Sequence, residues 1–446
     1  MARKVFMSFL GTNNYVECYY RIHGKLSHRV RFVQEALIAD ICKDWTNDDA
    51  IYIYCTPDAQ KVNWEDNGQS KIYEDIEKIG LERRLQELKE SMGLAPTIES
   101  VEIKEGFNET EIWDIFNVVY NTLQENDEIH FDMTHAFRSI PLFSIVLFNY
   151  AKFIKHILLS SVMYGAFEKL GPAYKVRGIP LEERKVDVID LNNVVRLQEY
   201  NQVASGLRTF GRVGELSGLV NNNDIESNNV IKDFSEAISE LDHNINTISL
   251  QKLKKGKYIY KFKSSYKNIR KQQALPKPIQ KICDALDEDI KDFVEQDDYA
   301  NIEAAIQWTI KFKMHMQTFS LTAEYIKLVG AERFDDLLRE CLNKKRKGLS
   351  NKDKREFIGA LLGMEDKDFD NPTSWTGNLA KNMEVAKRIA DKPFIRELRP
   401  LYKPIVSIRN NIAHGNGIDS DKLEDGNNAV AKCIEKLNEI NSKNTR

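Results

Sequence analysis

The stretch "DEIHFDMTHAFRSIP", residues 127–141, decides the fold class. Its first half places Ile129, Phe131 and Met133 in strand alternation. Its second half turns polar at Asp132, Thr134, His135 and Arg138, and a long apolar helical pattern then opens at Ile140. A strand that passes through a polar turn into a helix is one step of a parallel sheet covered by helices. The step recurs at the start of the chain, where "KVFMSFL" (4–10) leads into "GTNNY". There "RFVQEALIADICKDW" (31–45) sets Phe32, Val33, Ala36, Leu37, Ile41 and Trp45 on one helical stripe. Further strands are expected at "AIYIYC" (50–55), "IESVEI" (98–103), "ILLSSVMYGA" (157–166) and "KVDVIDL" (185–191), with a hairpin inserted between Tyr15 and Val30. Asn108, three residues before Glu111, has the spacing of a capping box. Residues 1–192 therefore read as a Rossmann-like α/β domain with a mainly parallel sheet. They lack the G-x-G-x-x-G turn of a dinucleotide site.

After Asn193 the pattern changes to long helical periodicity, so residues 193–446 read as an all-α domain. Residues 251–281 carry eleven Lys or Arg and no Asp or Glu, interleaved with Tyr258, Tyr260, Phe262 and Tyr266. Two readings stand: contact with an RNA backbone plus base stacking, or a solvated helix whose aromatic rings pack on the core. Over the 446 residues, 42% hydrophobic and 29% charged residues mark an ordinary globular chain, and the net charge of -3 gives no global pull toward nucleic acid. The six cysteines are scattered without metal-ligand spacing and read as reduced core thiols of a cytoplasmic protein. "IPLFSIVLFNYAKFI" from Ile140 is interrupted by Asn149 and Lys152 and is shorter than the roughly 20 residues that span a bilayer, so it reads as a buried helix. Trp113 and Trp308 lie on apolar helical stripes and read as core.

Open α/β sheets bind ligands at the carboxyl ends of their strands. Two polar loops sit there: Gly11, Thr12, Asn13 and Asn14, and the run from Asp132 through Thr134 to Arg138. Their hydroxyls, amides and backbone N–H groups suit a phosphodiester and a base edge, although Thr and Asn also serve as plain helix caps.

A second candidate lies in "SIRNNIAHGNG" (407–417), where Leu401, Ile405 and Ile408 form a helical stripe that Gly415 and Gly417 end. Arg409 and His414, five apart, lie about 140° apart on a helix and do not aim at one atom. Two copies at a two-fold axis bring two of each into one cleft. Arginine offers a planar fork to phosphate and histidine exchanges protons near neutral pH, which is what metal-free RNA cleavage by the 2′-hydroxyl needs.

The segments "FMSFLGTNNY", "RFVQEAL", "FDMTHAFRSIP" and "VMYGAFE" resemble, in order, the D-x-T-H-G-F-R-S-x-P type of CARF domain, with Ala136 where that family has glycine. "IRNNIAHG" resembles the R-x4-H motif of HEPN ribonucleases, including a polar residue after the arginine, Asn410. The layout is that of the CARF–HEPN ribonucleases of type III CRISPR systems. The resemblance implies an activator site at Gly11, Thr12, Asn13, Asn14, Asp132, Thr134, His135, Ala136, Phe137 and Arg138, and a catalytic set of Arg409, His414 and Asn410. It further implies a cyclic oligoadenylate activator, with cyclic tetra-adenylate expected, a single-stranded RNA substrate, no metal or other cofactor, and a homodimer or higher oligomer off the membrane. Two alternatives remain open: the sensor domain itself degrades the ring, or the protein is a CARF regulator that binds nucleic acid without cutting it.

Overall fold

The computed structural model describes residues 2–68, 78–134, 140–221, 229–273, 275, 277–341 and 348–442. The chain divides into two compact units, Met1–Leu197 and Gln198–Arg446. In the first, the strands are β1 (Lys4–Leu10), β2 (Tyr19–Ile22), β3 (Lys25–Leu26), β4 (Ala50–Cys55), β5 (Thr97–Glu102), β6 (Glu128–Asp132), β7 (Leu158–Gly165) and β8 (Lys185–Asp190). They form one sheet in the order β3-β2-β8-β7-β6-β1-β4-β5. β1, β4, β5, β6 and β7 run parallel, and β8 pairs antiparallel with β7. The expected hairpin is present as β2 and β3, and it lengthens the sheet because β2 pairs in parallel with β8.

Among the described residues, the longer helices that cover the sheet are α1 (Val33–Ile41), α2 (Leu81–Met92), α3 (Glu109–Thr122) and α4 (Ile140–Lys155). Alternate residues of β1 point to opposite faces. Phe6 and Leu10 join Leu37, Leu81 and Leu85 in one core, and Val5, Met7 and Phe9 join Ile115, Val119, Leu147 and Phe148 in the other. Burial on both faces is why β1 is a continuous apolar run. The chain moves from β1 to β4 and β5 on one side, then returns to β6 and β7 on the other. The strand order thus reverses between β1 and β6, the switch point at which such sheets open a ligand crevice.

The cap of α3 is as expected: the Asn108 amide oxygen accepts from the Glu111 N–H at 3.0 Å, and its Nδ2 donates to the Glu111 carboxylate at 2.7 Å. Two expectations need correction. Trp113 is not core but 57% exposed. The apolar run from Ile140 is not fully buried either. Leu147, Phe148 and Ala151 enter the core, while Val146, Tyr150 and Phe153 face outward, Phe153 with 80% exposure. A helix lying on a sheet buries one stripe, and this run is apolar around more of its circumference than one stripe can cover.

The second unit is helical. Its main elements are α5 (Asn229–Asn246), α6 (Lys257–Gln272), α7 (Lys277–Asp289), α8 (His315–Arg333), α9 (Asn351–Gly363), α10 (Pro393–Ala413) and α11 (Ser420–Ser442). α8 is buried almost all round, and α9, α10 and α11 pack against it. Trp308 is buried as expected, as are all six cysteines, which carry free thiols. Of the aromatic residues in the basic stretch, Tyr258, Phe262 and Tyr266 are core and Tyr260 is exposed. Among the described residues no helix is long and apolar enough to cross a membrane.

Candidate functional site

Ser8 on β1 and Asp132 on β6 are register partners across the switch point. The Ser8 hydroxyl donates to Asp132 Oδ2 at 2.7 Å. Thr134, just past β6, donates its hydroxyl to Asp132 Oδ1 at 2.6 Å and its N–H to the same oxygen at 3.0 Å. That hydroxyl also accepts from the Gly165 N–H at 2.8 Å, tying the loop to the end of β7. Gln34 on α1 completes the network, its Nε2 donating to Ser8 Oγ at 3.0 Å and to the Phe9 carbonyl at 3.3 Å. Burial pushes the Asp132 carboxyl above its ordinary range, and the hydrogen bonds from Thr134 and Ser8 oppose the shift.

The loop after β1 is held separately. Asn63, in the helical turn Gln60–Trp64 after β4, donates through Nδ2 to the carbonyls of Gly11 at 2.8 Å and Asn13 at 2.9 Å. Gly11 is buried, Asn14 half-buried, and Thr12 and Asn13 are exposed. Asn14 Oδ1, Gln34 Oε1 and Asn63 Oδ1 are buried without a hydrogen-bond partner among the described residues. Three unmet acceptors around one crevice are unusual in a finished core. Beside them, Arg31 reaches the Tyr15 carbonyl at 3.4 Å and the Ile79 carbonyl at 3.2 Å, and Arg84 bridges Glu35 at 3.4 Å and Glu17 at 3.3 Å.

The structure thus brings together Gly11, Thr12, Asn13 and Asn14 with Asp132 and Thr134. His135, Ala136, Phe137 and Arg138 lie outside the described residues. Sequence reasoning missed Ser8, Gln34, Asn63 and Arg31. Ser8 and Gln34 carried a signal, since each is a polar residue within an apolar pattern. Asn63 and Arg31 carried none.

In the second unit, α10 begins with Pro393 and carries Pro400 and Pro404 within it. It ends in a Schellman turn: the Gly415 N–H donates to the Ile412 carbonyl at 3.2 Å, the Asn416 N–H donates to the Asn411 carbonyl at 2.9 Å, and Gly415 adopts φ +73°. His414 is the C-cap residue and its side chain is exposed. Arg409, one turn earlier, is half-buried, and its Nε and Nη2 both donate to Asn410 Oδ1, at 3.1 and 2.8 Å. This fixes the plane of the guanidinium and leaves its remaining N–H edge for another acceptor. Burial raises the Tyr402 phenol, and the Arg409 charge works against that shift. Lys327, 6% exposed on α8, pairs with Glu324, and a β-carbon at Gly359 would touch both Lys327 and the Tyr402 hydroxyl. Tyr402 and Lys327 are both buried and meet beside Gly359. In the sequence they were indistinguishable from surface residues of amphipathic helices.

A parallel α/β unit with two polar loops at its switch point, followed by an all-α unit bearing an Arg–Asn–His helix end, defines the class. By its motifs the chain resembles the CARF–HEPN group of CRISPR-associated proteins. CRISPR-associated protein MJ1674 of Methanocaldococcus jannaschii is 28% identical over 155 residues, 34% of this chain. The match spans 22% of that relative's length. Among solved structures, Enterococcus italicus Csm6 bound to cyclic hexa-2'-fluoro-hexa-dAMP matches over 97% of this chain and 94% of its own, at 14% identity and a TM-score of 0.45. No family model matches the chain.

Proposed function

We propose that the protein is a cyclic-oligoadenylate-activated endoribonuclease of CRISPR antiviral defence that cuts single-stranded RNA without a metal ion. The observation that carries the reading is the end of α10, where Asn410 orients the Arg409 guanidinium one turn from an exposed C-cap His414. In the proposed reaction the 2′-hydroxyl of the substrate attacks the adjacent phosphorus and loses its proton to one His414. The 5′-oxygen leaves with a proton from the other, and Arg409 stabilises the charge on the phosphoryl oxygens. The products are a 2′,3′-cyclic phosphate and a 5′-hydroxyl. The activator occupies the switch-point crevice, where the unmet acceptors Asn14 Oδ1, Gln34 Oε1 and Asn63 Oδ1 suit the amino groups and hydroxyls of adenosine.

The reaction requires two copies, and the outer stripe of α3 and α4 supports that. Trp113, Val146, Tyr150 and Phe153 are exposed apolar side chains on α3 and α4. Trp113 and Tyr150 each meet the Phe116 ring edge-to-face at a centroid separation of 5.6 Å. A second copy seated on this stripe places two switch-point loops around one symmetric ring. Degradation of the ring by Thr134 finds less support, because that hydroxyl is already committed to Asp132 and Gly165.

The test is an RNA cleavage assay with a panel of cyclic oligoadenylates in the presence of EDTA, run on the wild type and on His414→Ala. Cleavage stimulated by one ring, insensitive to EDTA and absent in the variant supports the reading. Cleavage that survives in His414→Ala overturns it, and no cleavage with any ring favours a non-cutting regulator.

A further inference from the structure

We infer that the groove between α6 and α7 is a track for the backbone of single-stranded RNA, separate from Arg409 and His414; this rests on the ribonuclease reading. α6 divides its residues sharply. Tyr258, Ile259, Phe262, Tyr266 and Ile269 form its buried face. On the adjoining side, Tyr260, Lys263, Lys267, Arg270 and Lys271 fall within about a third of a turn of one another at 100° per residue. Lys263, Lys267, Arg270 and Lys271, with Lys291 beyond α7, line a groove of about 540 Å³ that also meets Asp287 and Glu288.

The charges on the helix are sorted by what they face. Lys261, on the flank toward α5, pairs with Glu236 at 2.5 Å and Asp233 at 3.4 Å. In the groove, Arg270 has only a 3.7 Å contact with Asp284, and Glu288 is taken up by Lys291 at 2.7 Å. Lys267 and Lys271 have no ion pair among the described residues and are exposed. Like charges at i and i+4, as at 263/267 and 267/271, each cost a helix a few tenths of a kcal/mol; the Phe293 carbonyl takes up the Lys263 ammonium at 3.1 Å, while Lys267 and Lys271 have no such partner among the described residues.

Spacing and chemistry favour RNA as the occupant. Lys263, Lys267 and Lys271 repeat every ~6 Å along the axis, the order of the distance between successive phosphates in an extended strand. Tyr260, 59% exposed on the same stripe, offers a ring face on which a base can stack. An acidic peptide has no use for that ring.

Binding of a fluorescent single-stranded RNA is measured by anisotropy across a salt series, using the full chain with His414→Ala so that the probe survives. Adding Lys267→Glu and Lys271→Glu should raise Kd at least tenfold and lower the slope of log K against log salt by about 1.4, two phosphates at about 0.7 each. Should the charge reversals disturb folding, Lys267→Gln with Lys271→Gln should lower the slope equally with a smaller rise in Kd. Tyr260→Ala should raise Kd without changing the slope. An unchanged Kd and slope in a His414→Ala protein that binds RNA overturns the track and leaves the ribonuclease reading intact. Failure of that protein to bind RNA overturns the track, and the wild-type cleavage assay then decides the ribonuclease reading independently. Poly-glutamate binding as tightly as RNA would make the groove an acidic-peptide surface instead.

Discussion

Replacing Asn63 by Ala removes the support of the crevice loop together with the buried acceptor Oδ1 proposed to meet the activator, and leaves the exposed loop residues in place. The amide is 1% exposed and makes two contacts, to the carbonyls of Gly11 at 2.8 Å and Asn13 at 2.9 Å. Losing a buried partner costs about 1–3 kcal/mol for each acceptor left unmet. The Gly11 carbonyl is enclosed and sits at the upper part of that range, whereas Asn13 is exposed, so water replaces its lost partner at little cost. A total of about 2–3 kcal/mol follows, and it falls on the Gly11–Asn14 loop more than on the sheet, because β1 is held by its ladders to β4 and β6. If the loop must be reordered on binding, that energy appears as a Kd for the cyclic oligoadenylate raised roughly 30- to 150-fold, at 1.4 kcal/mol per decade. Calorimetric titration with the activating ring, beside urea unfolding of the same variant, separates the two effects. A Kd within twofold of wild type, with unchanged unfolding, refutes the claim that Asn63 positions the loop.

Two further outcomes are expected. Asn410→Ala frees the Arg409 fork, so activator-stimulated RNA cleavage should fall about tenfold, the equivalent of about 1.4 kcal/mol in the barrier, with activator affinity unchanged; equal cleavage rates would show that the Arg409–Asn410 contact does not serve the reaction. Phe153→Glu alters a side chain that is 80% exposed, so the subunit should fold normally while the dimer dissociation constant rises at least tenfold by sedimentation; unchanged association would exclude the α3–α4 face as the contact between copies.

Much of the architecture is legible in the amino-acid sequence. β1 and β4 begin and end where their apolar runs do, because central parallel strands are buried on both faces and favour apolar residues, and the other expected strands of the sheet fall within a residue or so of theirs. The cap at Asn108 and the glycine stop at Gly415 are readable because each depends on a few adjacent residues. Trp113 and the outer stripe of α4 are misread for the converse reason. Helical periodicity says that residues share a stripe, and it does not say whether anything in the same chain covers it.

The candidate site divides along the same line. The polar runs at Gly11–Asn14 and Asp132–Thr134 and the Arg409–His414 pair stand out as contiguous stretches, and the sequence by itself determined that they lie at a strand end or a helix end. Only the tertiary structure decided that Ser8 meets Asp132, that Asn63 reaches back 52 and 50 residues to hold Gly11 and Asn13, and that Lys327 and Tyr402 come together beside Gly359. Caps, strands and turns are set by neighbours along the chain. Hydrogen bonds between distant residues depend on which strands the sheet places side by side, and the order reversal between β1 and β6 is a property of the whole sheet, not of any one segment.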